Sequence, residues 1–473
     1  MTRTIISFCW GLGLAMLTGC ASLDPKPDIE KAGQDISSRI GLPVHWQADV
    51  ADTTQNNILT RALLVQPLSA EAAVQVALLN SPRVAELLEE IGIARADVVQ
   101  ASLLRNPVLD AARLVPRHEG SAELTGGIGF DLLSLLSLPA RRQMADRDFE
   151  VTRLRITGDL LAFAGEVRVS YIEAVAARQI ARAWDEAVAA ADASAELAYR
   201  LNQAGNLNAA RRDRELLAWQ EARRMQAVAA LRVRALSDAV QVQLGVPDSP
   251  VDGLLPPSLP PLPQEEVALA DLEKRVAESS LGLQTLRAQL ESQAKRMGYD
   301  QATALVPELH AGFDWDREAG SGEWRQGSSL GVQLPLFDLG SAHKAKGAAE
   351  FRKTGQQLLN QQRSLGAQAR NAAARLTQAR ATVQQFDRVI LPLAARVVEA
   401  NQLQYNAMQI SAFELLANRR RELDLTQAHI ESLRDYWLAR AAIDALLAGA
   451  APASFIPSLS SSARVSAANS GAH

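Results

Sequence analysis

Six histidines are the first place to look for metal or acid–base chemistry, and their positions support neither. His45, His118, His310, His343, His429 and His473 are scattered without metal-ligand spacing. No Ser/His/Asp set can be assembled from local signatures. The methionines are too few and too dispersed for a soft-metal relay. Gly126-Gly127-Ile128-Gly129 could be mistaken for a phosphate loop. It lies in an alternating run and lacks the lysine of a P-loop, so it reads as a bend in a strand. No enzyme, no metal site and no cofactor is expected.

The N-terminus carries the one covalent modification that residue types suggest. Arg3 precedes an apolar run from Ile5 to Met16, and small residues follow. That is the layout of a secretory signal, and the run is too short to span a bilayer. The ending Leu17-Thr18-Gly19-Cys20 resembles the bacterial lipoprotein signal, which implies a lipid anchor on Cys20 as the new N-terminus. Several acyl chains on one cysteine anchor stably where one would not. Ala21 in place of an aspartate favours the outer membrane. Cys9, the other cysteine, would leave with the signal, so no disulfide framework is expected. This gives a signal peptide at 1–19 and a lipid-anchored irregular segment at 20–67, where Pro25, Pro27, Pro43 and Pro67 act as breakers.

The net charge of -4 and the lack of a basic stripe argue against nucleic acid as a partner. No segment after the signal approaches twenty uninterrupted apolar residues, so any membrane crossing must use strands. The remaining chain repeats a unit at a spacing of roughly 200 residues. The unit reads as a helix, two alternating strands, and a very long helix with a partner. We place the first copy at 68–246, a Pro-rich linker at 247–263, the second copy at 264–449, and a disordered Ala/Ser-rich tail at 450–473.

The helix of the first copy is expected from an N-cap at Ser69 to about Leu104, broken at Ser81-Pro82. Strands follow near Pro107 and over Gly126–Leu133. In the second copy, strands are expected from Glu308 to Asp316 and from Gly331 to Phe337. Phe313 and Trp315 alternate with Asp314 and Asp316, giving one apolar and one polar face. Strands of this kind fit a membrane β-barrel with a watery lumen. A soluble antiparallel sheet with one solvated face fits the same alternation.

From Ile156 a small apolar stripe runs through Leu160, Phe163, Val167, Ala174, Ala191 and on to Ala198 at alternating spacings of four and three. Such a heptad imposes a left-handed supercoil. A helix from about Leu138 to Asn202 would be roughly 100 Å long at 1.5 Å per residue. A coiled-coil scaffold would account for that helix, but it has no use for the strands. Both helical runs break at small-residue turns, 203–208 and 406–411.

Ala77-Leu78-Leu79-Asn80-Ser81-Pro82, the strand starts at Pro107 and Pro307, and the corner Leu334-Pro335-Leu336-Phe337-Asp338-Leu339-Gly340 together resemble the TolC-like outer-membrane efflux factor family over residues 68–449. The resemblance implies a mainly α fold with a small membrane β part. It implies a homotrimer with a twelve-stranded β-barrel continued by a periplasmic α-helical barrel. The implied function is a passive exit duct of a tripartite efflux system in the outer membrane. Its partners would be outer-membrane lipid, a periplasmic adaptor (membrane fusion) protein and an inner-membrane transporter of the RND type. A structural periplasmic coiled-coil lipoprotein without a pore is the alternative. The helical turns would form the periplasmic gate, with Tyr405 as the tip-locking tyrosine and Glu414 as an entrance carboxylate. Arg211 stands where the family carries an aspartate, and Ala417 where it carries a second carboxylate. The family's closing network is therefore not reproduced residue for residue. Arg211, Arg212 and Arg214 near Glu414 are the charged groups left for that role, with an Arg211–Glu414 link as the expectation; for any one of them a solvated helix tip is the plain alternative.

Overall fold

The computed structural model describes residues 23–44, 46, 53–64, 67–115, 122–246, 251–304, 306, 308–317, 321–336 and 340–450. The signal and Cys20 lie outside them, as do Pro307, Phe337 to Leu339 and nearly all of the tail.

In chain order the elements are α1 (Lys26–Ile40), α2 (Thr53–Leu64), α3 (Ala70–Asn80) and α4 (Pro82–Ser102). Next come β1 (Val108–Leu114), β2 (Glu123–Asp131), α5 (Leu132–Leu136), α6 (Leu138–Gln203) and α7 (Ala209–Leu244). The second half has α8 (Leu272–Ser279), α9 (Leu281–Thr303), β3 (Leu309–Arg317) and β4 (Trp324–Val332). It ends with α10 (Ser341–Gln385), a π turn (Phe386–Ile390), α11 (Leu391–Asn406) and α12 (Ala412–Ala448). The order of two helices, two strands, a very long helix, a turn and a returning helix thus occurs twice.

Local chemistry sets many of these boundaries. The Ser69 side chain accepts from the Ala72 N–H, capping α3. Ser81, held extended before Pro82, separates α3 from α4. Two strand boundaries differ from expectation. β2 stops at Asp131 rather than running to Leu133, because the Asp131 carboxylate accepts from the Ser134 N–H and starts α5. β4 spans Trp324–Val332 rather than Gly331–Phe337. Beyond it, Pro335 has no N–H to give a ladder, and Leu334 and Leu336 are exposed outside the sheet.

The chain forms two compact units, each drawing on both halves of the sequence. The first comprises Met1–Ile29, Leu88–Ile156 and Leu283–Asn360. It holds one antiparallel sheet in the order β1-β2-β3-β4. The central pairing, β2 with β3, matches Gly126 to Trp315 and Gly127 to Asp314. The rows sort by face in β2 and β3, while β4 places Ser328 beside Phe313 and Gln326 beside Trp315 on the otherwise apolar face. Asp110, Gly127, Asp314 and Gly327 share one row of the polar face, and Ala112, Thr125, Asp316 and Arg325 share another. The opposite face carries Leu109, Ile128 and Phe313 in one row and Ala111, Gly126 and Trp315 in the next. Glycine at 126 is required by the neighbour: a Cβ there would sit 2.5 Å from the Trp315 ring nitrogen. Beside the sheet, Asp148 of α6 accepts from Ser292 at 2.5 Å and from Arg296 at 2.8 Å, both on α9.

The second unit comprises Glu30–Leu87, Thr157–Gly282 and Gln361–His473. Its core follows the apolar stripe of α6: Leu160, Phe163, Val167 and Ala174 are all buried to within 1%. Farther along, the expected heptad is kept in part: Ala177, Ala191 and Ala198 are buried. Ala183 and Ser194 are buried, while Ala181, Trp184 and Ala195 are half-buried. At the far end of this core the Arg39 guanidinium donates to the Ser279 and Ala448 carbonyls, each at 2.9 Å, where α8 and α12 end. Tyr171 donates to the Leu68 carbonyl at 2.6 Å, and burial pushes its hydroxyl pKa well up.

Candidate functional site: the turns of the two helical hairpins

α6 and α7 form one hairpin, and α10 to α12 form the other. Their turns are built alike. Gly205 donates to Asn202 and Asn206 to Leu201; in the second, Met408 donates to Tyr405 and Gln409 to Gln404. This pair of bonds closes a helix end when the next residue is left-handed. Gly205 has φ +78 and Met408 has φ +58. Returning helices are capped alike too: the Asn208 side chain accepts from the Arg211 N–H, and the Ser411 side chain from the Glu414 N–H.

These caps place Arg211, Arg212 and Arg214 near the start of α7 and Glu414 in the first turn of α12, while Tyr405 lies at the end of α11. The Arg211 guanidinium lies over the Phe413 ring, 5.4 Å from its centre. Arg212 turns back to Asn202 at 2.9 Å and pairs with Asp213 at 2.7 Å. Glu414 and Arg214 are exposed, and neither makes an ion pair among the described residues. Tyr405 is exposed beside the left-handed Met408. Within one copy, then, the two tips meet through Arg211 and an aromatic ring, not through Arg211 and Glu414.

Near the tips a carboxylate that does link the hairpins is Glu215, one turn farther along α7. It accepts from Arg420 of α12 at 2.6 Å and from Ser194 of α6 at 2.8 Å. Burial pushes its pKa up and is the largest single effect. The bonds from Arg420 and Ser194, with the charges of Arg420 and Arg211, outweigh it and hold the carboxyl below its usual range. Three helices meet in this one group. Sequence reasoning missed it, because Glu215 and Arg420 sit in the mixed-charge runs Arg-Arg-Asp-Arg-Glu and Arg-Arg-Arg-Glu, where nothing marks the buried member. The π turn was missed as well, although Pro392 in an otherwise helical run was a signal for it.

Among the described residues no group of three or more His, Cys, Asp or Glu side chains could hold a metal ion. Among them, too, no helix is long and apolar enough to cross a membrane.

No family model and no curated protein matches the sequence. The fold is that of outer-membrane channel proteins, so the resemblance to TolC-like channels is met at the level of architecture. A membrane protein from Pseudomonas aeruginosa aligns with TM-score 0.66 at 17% identity, covering 80% of this chain and 90% of its own. The outer-membrane channel OprN aligns with TM-score 0.65 at 14% identity, covering 83% and 92%. The Campylobacter jejuni CmeC outer membrane channel aligns with TM-score 0.60 at 14% identity, covering 81% and 86%.

Proposed function

We propose that the chain is one protomer of a passive outer-membrane duct that serves in efflux. The observation that carries this reading is the two-faced sheet with two open edges. β1 and β4 are exposed along their whole length, and among the described residues neither has a partner strand on its outer side. Exposed strand edges invite pairing with another chain. Four strands cannot close a barrel, and bacterial single-chain barrels begin at about eight. Three copies joined β4 to β1 give twelve strands, with Leu109 and Phe313 toward lipid and Asp110 and Asp314 toward a watery lumen. An exposed stripe on α7, through Leu217, Val228, Leu231 and Val242, supports the same association of copies.

On this reading the two repeats, 68–246 and 264–449, each give two strands and one helical hairpin. Cys20 carries the lipid anchor, and the chain resides in the outer membrane with its hairpins in the periplasm. There the tips meet a periplasmic adaptor and an inner-membrane transporter of the RND type. Tyr405, Glu414, Arg211, Arg212 and Arg214 line the gate at those tips. Three-fold symmetry brings three copies of Glu414 toward one axis, where each can reach an arginine of a neighbouring copy.

Purified protein in detergent, run unheated and heated on a gel and then placed in a planar bilayer, tests the reading. A heat-labile trimer with single-channel conductance is expected. Trimers without conductance would instead favour a scaffold. Mass spectrometry of the mature N-terminus tests the anchor: an unmodified Cys20 would remove it and leave the barrel standing.

A further inference from the structure

The second hairpin's long helix is not one α-helix. At Phe386–Ile390 it forms a π turn, and the Leu391 N–H donates to the Phe386 carbonyl five residues back. The cause lies one residue on. Pro392 has no N–H to give the Arg388 carbonyl, and its ring would press on that carbonyl in a regular helix. Widening the preceding turn relieves the clash. π turns of this kind mark kinks and hinges in helices.

The opposing helix holds this turn by a thin set of contacts. Nε2 of His429 on α12 lies 2.9 Å from the Asp387 carboxylate, yet the nitrogen is buried without an aligned hydrogen bond. The Phe386 ring sits 5.8 Å from the imidazole, tilted by 45°. Arg388 and Val389 point outward and are exposed. The equivalent stretch of α6 has unbroken α-helical bonding.

We infer that the π turn is a mechanical joint in the second hairpin. The tip segment, α11 with the turn at Met408, swings about it, and Asp387, Phe386 and His429 act as its latch. The inference rests on the channel reading and gives that gate its moving part. A lever that ends at the tip turns a small change at the joint into a larger displacement there.

Spin-label distances in full-length detergent-solubilised protein test it, with one pair across the joint (Ala381→Cys with Ala395→Cys) and one of equal spacing on α6 (Arg182→Cys with Glu196→Cys). The distribution across the joint should be at least twofold broader. Deleting Val389 together with Pro392→Ala, which allows regular α-helical bonding without changing the phase of the flanking turns, should narrow it to match α6. In bilayers the same combined variant should lower the frequency of channel opening about tenfold, and His429→Ala should raise it. Pro392→Ala alone, which keeps chain length, should move both readouts in the direction of the combined variant. Equal widths for the two wild-type pairs, or unchanged opening in both stiffened variants, would overturn the joint. Wild-type protein without any conductance would overturn the channel reading, and a broad distribution across the π turn in that same sample would keep the two failures apart.

Discussion

The first hairpin carries its long helix through 66 residues without interruption. The second covers the same length from Ser341 to Asn406 but breaks its hydrogen-bond pattern at Phe386. α6 buries Leu160, Phe163, Val167 and Ala174 almost completely. α11 has a single buried residue, Asn401, and leaves Val389, Leu393 and Val397 beside it exposed. The turns keep the same bonds, yet one places glycine and the other methionine at the left-handed position. Duplication has preserved what backbone bonding dictates. It has let the two long helices diverge toward their turns, where α6 buries Ala191, Ser194 and Ala198 and α11 buries Asn401 alone.

The largest expected difference between them is in the core. Phe163→Ala should destabilise the protein by about 3–5 kcal/mol, while Phe386→Ala, half-buried, should cost about 1–2 kcal/mol. Denaturant titration of the two variants against wild type measures this, and equal losses would erase the contrast. A proline exchange is next. Ala189 stands as far along α6 as Pro392 does along its own helix. Ala189→Pro should cost about 3 kcal/mol or more, and Pro392→Ala should change stability by less than about 1 kcal/mol.

Glu215→Gln tests the tie between the hairpins. Removing one partner of a part-buried charged pair should cost about 1–3 kcal/mol at neutral pH. The folded state holds this carboxyl below its usual range, so its stabilisation is complete above the unfolded carboxylate range and is lost as pH falls through the folded value. The stability gap between wild type and Glu215→Gln should therefore be flat near neutrality and close below about pH 4. A gap that instead grows in acid would reverse the assignment. The smallest effect is at the turns. Met408→Gly should stabilise by about 1 kcal/mol by relieving a left-handed side chain, and Gly205→Met should cost a similar amount. If the first change destabilises, Met408, exposed at 94%, makes a contact in the assembly that outweighs its backbone cost.

Much of this architecture was legible residue by residue. Ser81-Pro82 had to break a helix, because proline restricts the residue before it and cannot donate. The turns at 203–208 and 406–411 followed from small residues ending two periodic runs. The polar and apolar faces of the β3 strand followed from alternation at period two, and the register kept them. Local backbone rules and periodicity act over a few residues, so the sequence alone was enough for most elements, the faces of β3 and the duplicated order, but it read as irregular the segment that forms α1 and α2 and missed the π turn. The tertiary structure decided what meets across long separations. It paired β2 with β3, placed Arg211 over Phe413 instead of beside Glu414, and chose Glu215 and Arg420 from two runs of charge. Those choices depend on the angle and height at which helices approach one another, which no local pattern records.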